Sequence, residues 1–121
     1  MKAVALTQYL PIEAPDSFVD VDIPKPEPTG HDILIAVKAV AVNPVDTKIR
    51  NGRGKHGPVE NPPRVIGWDA SGRVEAIGDE VTLFKPGDEV WYAGDITRPG
   101  CNSEFQIIDE RIVGRKPKSL S

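Results

Sequence analysis

Proline and glycine interrupt this chain too often for a long helix to form anywhere in it. The 121 residues include 12 prolines and 11 glycines, nearly all spread singly, so they read as turn punctuation between short strands. Proline fixes φ and removes a backbone donor, while glycine admits the positive-φ turns that join strands. The expectation is an all-β domain with short helical turns, no internal repeat and no helix longer than two turns. The length suits one domain with a real core, and is too short for two ordinary ones.

Segments of β-type sequence recur between the breakers. Lys2 to Thr7 is the first, and Phe18 to Ile23 alternates with period two. Pro24 to Gly30 is a stiff, extended connector. Asp32 to Val42 is the longest apolar run, and its β-branched residues and its stop at Asn43-Pro44 favour a buried strand. Val45 to Arg50 can make a helical turn with Pro44 near its start, and Asn51 to Pro63 is a polar surface loop. Asp69 to Ile77, Glu89 to Tyr92, Glu104 to Ile108 and Ile112 to Gly114 complete the strands. Phe84 to Asp88 is a turn, with Pro86 presetting φ and Gly87 supplying a positive one.

Charge and cysteine usage narrow the function classes. A formal charge of -3 leaves no electrostatic footprint for nucleic acid or an anionic membrane. Cys101 is the sole cysteine, so no intrachain disulfide can form and a reducing compartment follows. Gln8, Glu13 and Asp16 break any apolar leader, and no stretch reaches bilayer length, so the expectation is a cytoplasmic protein. Lys116 to Ser121 reads as the start of a linker or a helix cap.

One motif match is set aside. Gly52-Arg53-Gly54-Lys55-His56-Gly57 satisfies G-x-G-x-x-G, but that fingerprint works only between a strand and a helix N-terminus. Pro58 follows at once, then Asn61-Pro62-Pro63, and no helix can start. The segment reads as a flexible loop.

Three other segments, in order and covering nearly the whole chain, carry a resemblance. Asn43-Pro44-Val45-Asp46 resembles the N-P-x-D segment of quinone-oxidoreductase-like members of the medium-chain dehydrogenase/reductase superfamily. Gly67-Trp68-Asp69-Ala70-Ser71-Gly72-Arg73-Val74-Glu75-Ala76-Ile77-Gly78 resembles that superfamily's G-x-[ED]-x-x-G-x-V-x-x-x-G signature, and Phe84 to Val90 its F-x-x-G-D-x-V turn. Val90 to Ile96 with Arg98-Pro99-Gly100 is similar to a bacterial subgroup called zinc-type alcohol dehydrogenase-like. The resemblance implies a GroES-like, partly open β-barrel spanning residues 1–121. It would be the substrate-side domain of an oxidoreductase whose Rossmann domain lies outside this sequence. The nicotinamide of NADPH would sit between the two.

The resemblance also implies what is missing. Zinc-dependent relatives place a cysteine where this chain has Asn43, and a His-Glu pair where it has Trp68-Asp69. Neither Asn43 nor Trp68 can act as a thiolate or imidazole ligand, so no zinc is expected. Quinones or α,β-unsaturated carbonyls then fit as hydride acceptors, because charge arising on their oxygen needs only a few hydrogen-bond donors. Asn43, Thr47 and Lys48 are the candidate catalytic residues, Lys48 standing where many relatives have a tyrosine. Asn43, Pro44, Asp46 and Gly67 are candidate cofactor contacts, and Trp68 and Tyr92 candidate substrate contacts.

Bland readings stand beside these. Lys48 can be a solvated lysine, and Asp46 can cap the turn after Pro44. Asp69 can pair with Arg50 or a backbone donor, Cys101 is a passive buried thiol, and His31 and His56 are solvated. The partner is a small carbonyl or quinone, and the resemblance allows a homodimer in a longer protein. Two alternatives stay open: a non-catalytic GroES-like binding module using the mobile Asn51 to Pro63 loop, and a zinc-dependent alcohol dehydrogenase with unusual ligands.

Overall fold

The computed structural model describes residues 1–121. Its strands are β1 (Lys2–Leu6), β2 (Gln8–Tyr9), β3 (Val19–Asp22), β4 (Asp32–Ala41), β5 (Gly57–Pro58), β6 (Arg64–Val65), β7 (Asp69–Ile77), β8 (Glu89–Ala93), β9 (Phe105–Asp109) and β10 (Val113–Arg115). One helix, α1 (Pro44–Arg50), and two 3-10 turns, Gly52–Gly54 and Glu110–Ile112, lie between them. The strands form a five-stranded sheet ordered β10-β8-β7-β4-β9, a three-stranded sheet ordered β3-β1-β6, and the β2-β5 pair. Every pairing is antiparallel. The fold is all-β with short helices, and its sheets do not close into a barrel.

Alternation builds the main core. On β7, Ala70, Gly72 and Val74 face inward while Arg73 and Glu75 face solvent, and on β8 Val90 and Tyr92 face inward between Glu89, Trp91 and Ala93. With Ile33, Ile35, Phe84 and Ile108 these form one packed cluster. Each such Ile or Val stabilises the fold by roughly 1.5–3 kcal/mol relative to exposure. Gly72 is forced by packing: a Cβ there would stand 2.3 Å from the Ala36 carbonyl oxygen. That approach lies beside the register shift between Val37 and Ala39. At the Lys85–Asp88 turn, Gly87 has φ +96 and Asp88 N–H donates to the Lys85 carbonyl at 3.2 Å, as the turn chemistry predicts.

Three expectations need correction. The apolar run of β4 is buried only at Ile33 to Ile35, whereas Val40 is 45% exposed and Val42 beyond it is 80% exposed. β9 pairs with Asp32 to Ala36 and Val37 N–H donates to the Glu104 carbonyl at 3.0 Å, so beyond Val37 β7 is the one strand paired with β4. Next, the Asn51 to Pro63 segment is tied down. β5 within it pairs with β2, and Val59 is 3% exposed against Leu6 and Ile66. Finally, His31 is not simply solvated, because its Nδ1 lies 2.8 Å from Oε2 of the buried Glu110. Glu110 Oε1 accepts the backbone N–H groups of Thr82 at 3.0 Å and Leu83 at 2.7 Å, so one carboxylate joins three segments.

Candidate functional site

The end of β4, the start of β7 and α1 bring most of the predicted residues together. Pro44 opens α1, where its missing N–H costs nothing. Asp46 reaches back, its Oδ2 accepting the Asn43 backbone N–H at 2.7 Å, so the carboxylate does cap the turn. Asp46 is 7% exposed, and its Oδ1 is buried without a hydrogen-bond partner. The Asn43 side-chain amide donates to Asp69 Oδ2 at 2.7 Å. That bond was not foreseen: Arg50, the expected partner of Asp69, instead donates to the Leu10 carbonyl at 2.9 Å.

Thr47 and Lys48 differ in what they leave free. Thr47 Oγ1 donates to the Pro44 carbonyl at 2.8 Å, which uses its proton and leaves its lone pairs. Lys48 is exposed and outside every ion pair. The Asn43 amide spends one N–H on Asp69 and points the other at the Ala41 carbonyl, 3.5 Å away, so Lys48 holds the least committed donors of the three candidate catalytic side chains.

Gly67, Trp68 and Tyr92 are more deeply placed. Gly67 has φ +93, and a Cβ there would meet Asn102 Oδ1 at 2.7 Å and Cys101 Sγ at 3.1 Å. The close approach inferred from this glycine is therefore to the chain's own 101–102 segment. Trp68 is 3% exposed and packs with Leu6, Tyr9, Ile49, Val59 and Ile66. Tyr92 donates its hydroxyl to Gln106 Oε1 at 2.6 Å inside the core, and burial pushes its phenol above the usual range. The Tyr92 hydroxyl is thus occupied, and what Tyr92 can offer the groove it lines is its ring. Cys101 is 1% exposed, and burial pushes its thiol up to about 11, which makes it inert near neutrality.

Beside Asp69 the outer face of the large sheet forms an open groove of about 590 Å³. Ala39, Val40, Ala41, Ser71, Trp91 and Ile112 line it, so it is apolar and flat. Cross-strand register builds its floor: Ala41 faces Asp69 and Asp69 faces Ala93, while Ser71 faces Trp91 and Trp91 faces Gly114. Trp91, which lines this groove, is not among the residues expected from the sequence, although alternation along β8 turns it outward from Val90 and Tyr92.

The donor set does not fit a tetrahedral zinc. Such a site needs thiolate, imidazole or carboxylate ligands at close range. Asn43 presents an amide already donating to Asp69, and the Trp68 indole has no lone pair to give. No three His, Cys, Asp or Glu side chains converge in the chain.

Residues 29–117 match the family described as the alcohol dehydrogenase GroES-like domain. A zinc-type alcohol dehydrogenase-like protein of Staphylococcus aureus (strain Mu50) is 43% identical over 121 residues, covering 100% of this chain and 35% of its own length. A Rhizobium etli CFN 42 crystal structure, provisionally called a zinc-dependent alcohol dehydrogenase, is 57% identical with a TM-score of 0.93, over 99% of this chain and 34% of that one. The Escherichia coli quinone oxidoreductase complexed with NADPH is 26% identical with a TM-score of 0.83, over 100% of this chain and 35% of that one. The chain thus spans about a third of the length of the proteins it matches.

Proposed function

The chain belongs to the alcohol dehydrogenase GroES-like domain family, and from that premise we propose that it is the substrate-side domain of a zinc-independent, NADPH-dependent oxidoreductase. Its acceptors are quinones or α,β-unsaturated carbonyls, reduced by hydride transfer. A Rossmann domain of a longer protein holds most of the nucleotide. The observation that carries this reading is the Asn43–Asp69 hydrogen bond of 2.7 Å, together with the buried indole of Trp68. Both occupy positions where the resemblance puts metal ligands in zinc enzymes. The NADPH complex of the E. coli quinone oxidoreductase supports the choice of nucleotide.

Bound NADPH would supply the hydride. The protein's part is to orient the acceptor and answer the charge that forms on its oxygen. In this reading Asn43 and Pro44 border the nucleotide, and Asp46 and Gly67, both buried, support that edge from beneath. Because the two Asn43 amide protons face Asp69 and the Ala41 carbonyl, oxyanion stabilisation and proton delivery fall first to the exposed ammonium of Lys48. Trp68 backs this edge from within, and the groove along Ala39, Ser71 and Trp91 gives a flat acceptor an apolar surface.

Metal analysis and turnover of the longer protein test the reading together. The expected result is NADPH oxidation by a quinone or enone, unchanged by chelators, from protein free of stoichiometric zinc. Stoichiometric zinc with alcohol oxidation would replace it with the zinc-dependent reading that two of the relatives' names suggest. The 121-residue chain alone is expected to give no NADPH oxidation.

A further inference from the structure

Asn51 follows the last residue of α1 and precedes Gly52. Gly52 has φ +73, and a Cβ there would stand 2.8 Å from the Tyr9 ring. Left-handed backbone and lack of room both require glycine at this position. Asn51 is exposed and its side chain caps nothing in the turn that follows. An exposed amide therefore sits next to a glycine that is itself buried, and with Asn51 in helical backbone (φ -75, ψ -1) the attack needs ψ of Asn51 to rotate as the end of α1 frays.

We infer that Asn51-Gly52 is a spontaneous modification site, where asparagine converts through a cyclic imide to aspartate and isoaspartate. The Gly52 backbone nitrogen attacks Asn51 Cγ and gives up its proton. The Cγ–Nδ2 bond breaks and ammonia leaves. Water then opens the ring at either carbonyl, leaving aspartate or isoaspartate, with no oxidant or reductant involved. A side chain on residue 52 would hinder the attack, and the Tyr9 contact forbids one. The fold thus retains the residue that makes its neighbour labile.

The other asparagines each lack a requirement. Asn43 and Asn61 precede Pro44 and Pro62, whose nitrogens carry no proton. Asn102 precedes Ser103, whose N–H is held by the Cys101 carbonyl at 2.8 Å, and Asn102 Oδ1 is packed against Gly67. Conversion at Asn51 places a carboxylate at the C-terminal end of α1, where the helix dipole opposes negative charge. The Asn51 backbone N–H donates to the Thr47 carbonyl at 2.9 Å, so the change lies one turn from Thr47 and Lys48.

The test is to age the protein at mildly alkaline pH, cut it after lysine, and follow the peptide Ile49 to Lys55 by mass spectrometry and isoaspartate labelling. The expected result is the mass gain of an amide-to-acid change on that peptide, faster than at any other asparagine and abolished in Asn51→Ser. Circular dichroism shows whether that variant keeps the fold. A gain as fast at Asn102, or none at residue 51 while a synthetic peptide of residues 49–55 converts fully, overturns the inference.

Discussion

The side-chain amide of Asn43 donates to the Asp69 carboxylate at 2.7 Å, joining the entry to α1 with the first residue of β7. Asp46 grips the same asparagine from the other side through its backbone N–H, also at 2.7 Å. Asn43 is therefore fixed by two carboxylates that serve different atoms. Asn43→Ala strands the Asp69 oxygen, and urea unfolding should show a loss of about 1–3 kcal/mol. Asn43→Asp replaces a donor with a like charge. Its deficit should grow as pH rises through the carboxylate range, and a deficit that does not change with pH would contradict the pairing.

Lys48 offers a sharper functional test in the longer protein. Lys48→Met removes the least committed donor and should lower kcat by roughly 10²-fold, with KM for NADPH little changed. A wild-type kcat would remove Lys48 from the reaction.

Glu110 contributes to the acid limb of stability. The hydrogen bond from His31, with those from the Leu83 and Thr82 backbone, holds its carboxyl below the ordinary value. Its contribution is therefore complete above the unfolded carboxyl pKa, about 4.3, and is lost as pH falls through the lower folded value. Glu110→Gln should lower Tm at neutral pH and give a shallower fall on acidification, the two curves converging in strong acid. Parallel curves would mean that other carboxylates dominate.

Cys101 should resist thiol reagents in the native state. Burial pushes its pKa up to about 11, so at neutral pH almost no thiolate exists to react. Reaction with an aromatic disulfide should proceed only as fast as the chain opens, and should become immediate in denaturant.

Gly72→Ala is predicted to be among the more damaging single-methyl changes in the sheet. The added Cβ would sit 2.3 Å from the Ala36 carbonyl oxygen, and overpacking of this kind costs about 1–3 kcal/mol or more. Arg73→Ala, on the exposed side one residue on, should stay within about 0.5 kcal/mol. Chemical denaturation of the pair measures the contrast.

Much of the frame is legible in the residues. Asp69 to Ile77 is bounded by turn formers and occurs as a strand with those limits, and the Pro86-Gly87 turn follows from two residues' φ preferences. β2, β5 and β6 escape because two residues cannot display a period. The exposure of Val40 and Val42 escapes because an apolar run records composition, not what lies above it. Local sequence brought Asn43, Pro44, Asp46, Thr47 and Lys48 together on one turn. The Asn43–Asp69 and His31–Glu110 pairs join residues 26 and 79 positions apart, and only the sheet register brings them into contact.

The chain's two tryptophans sit in different surroundings, Trp68 3% exposed in the core beside α1 and Trp91 46% exposed in the outer groove. They should therefore emit as two separable populations, a blue one shielded from iodide and a red one quenched by it. Anything that settles on the outer groove will shift only the red component, while loosening of the α1 side will dim the blue. The molecule carries its own two-channel fluorescence reporter, with one channel for docking and one for integrity.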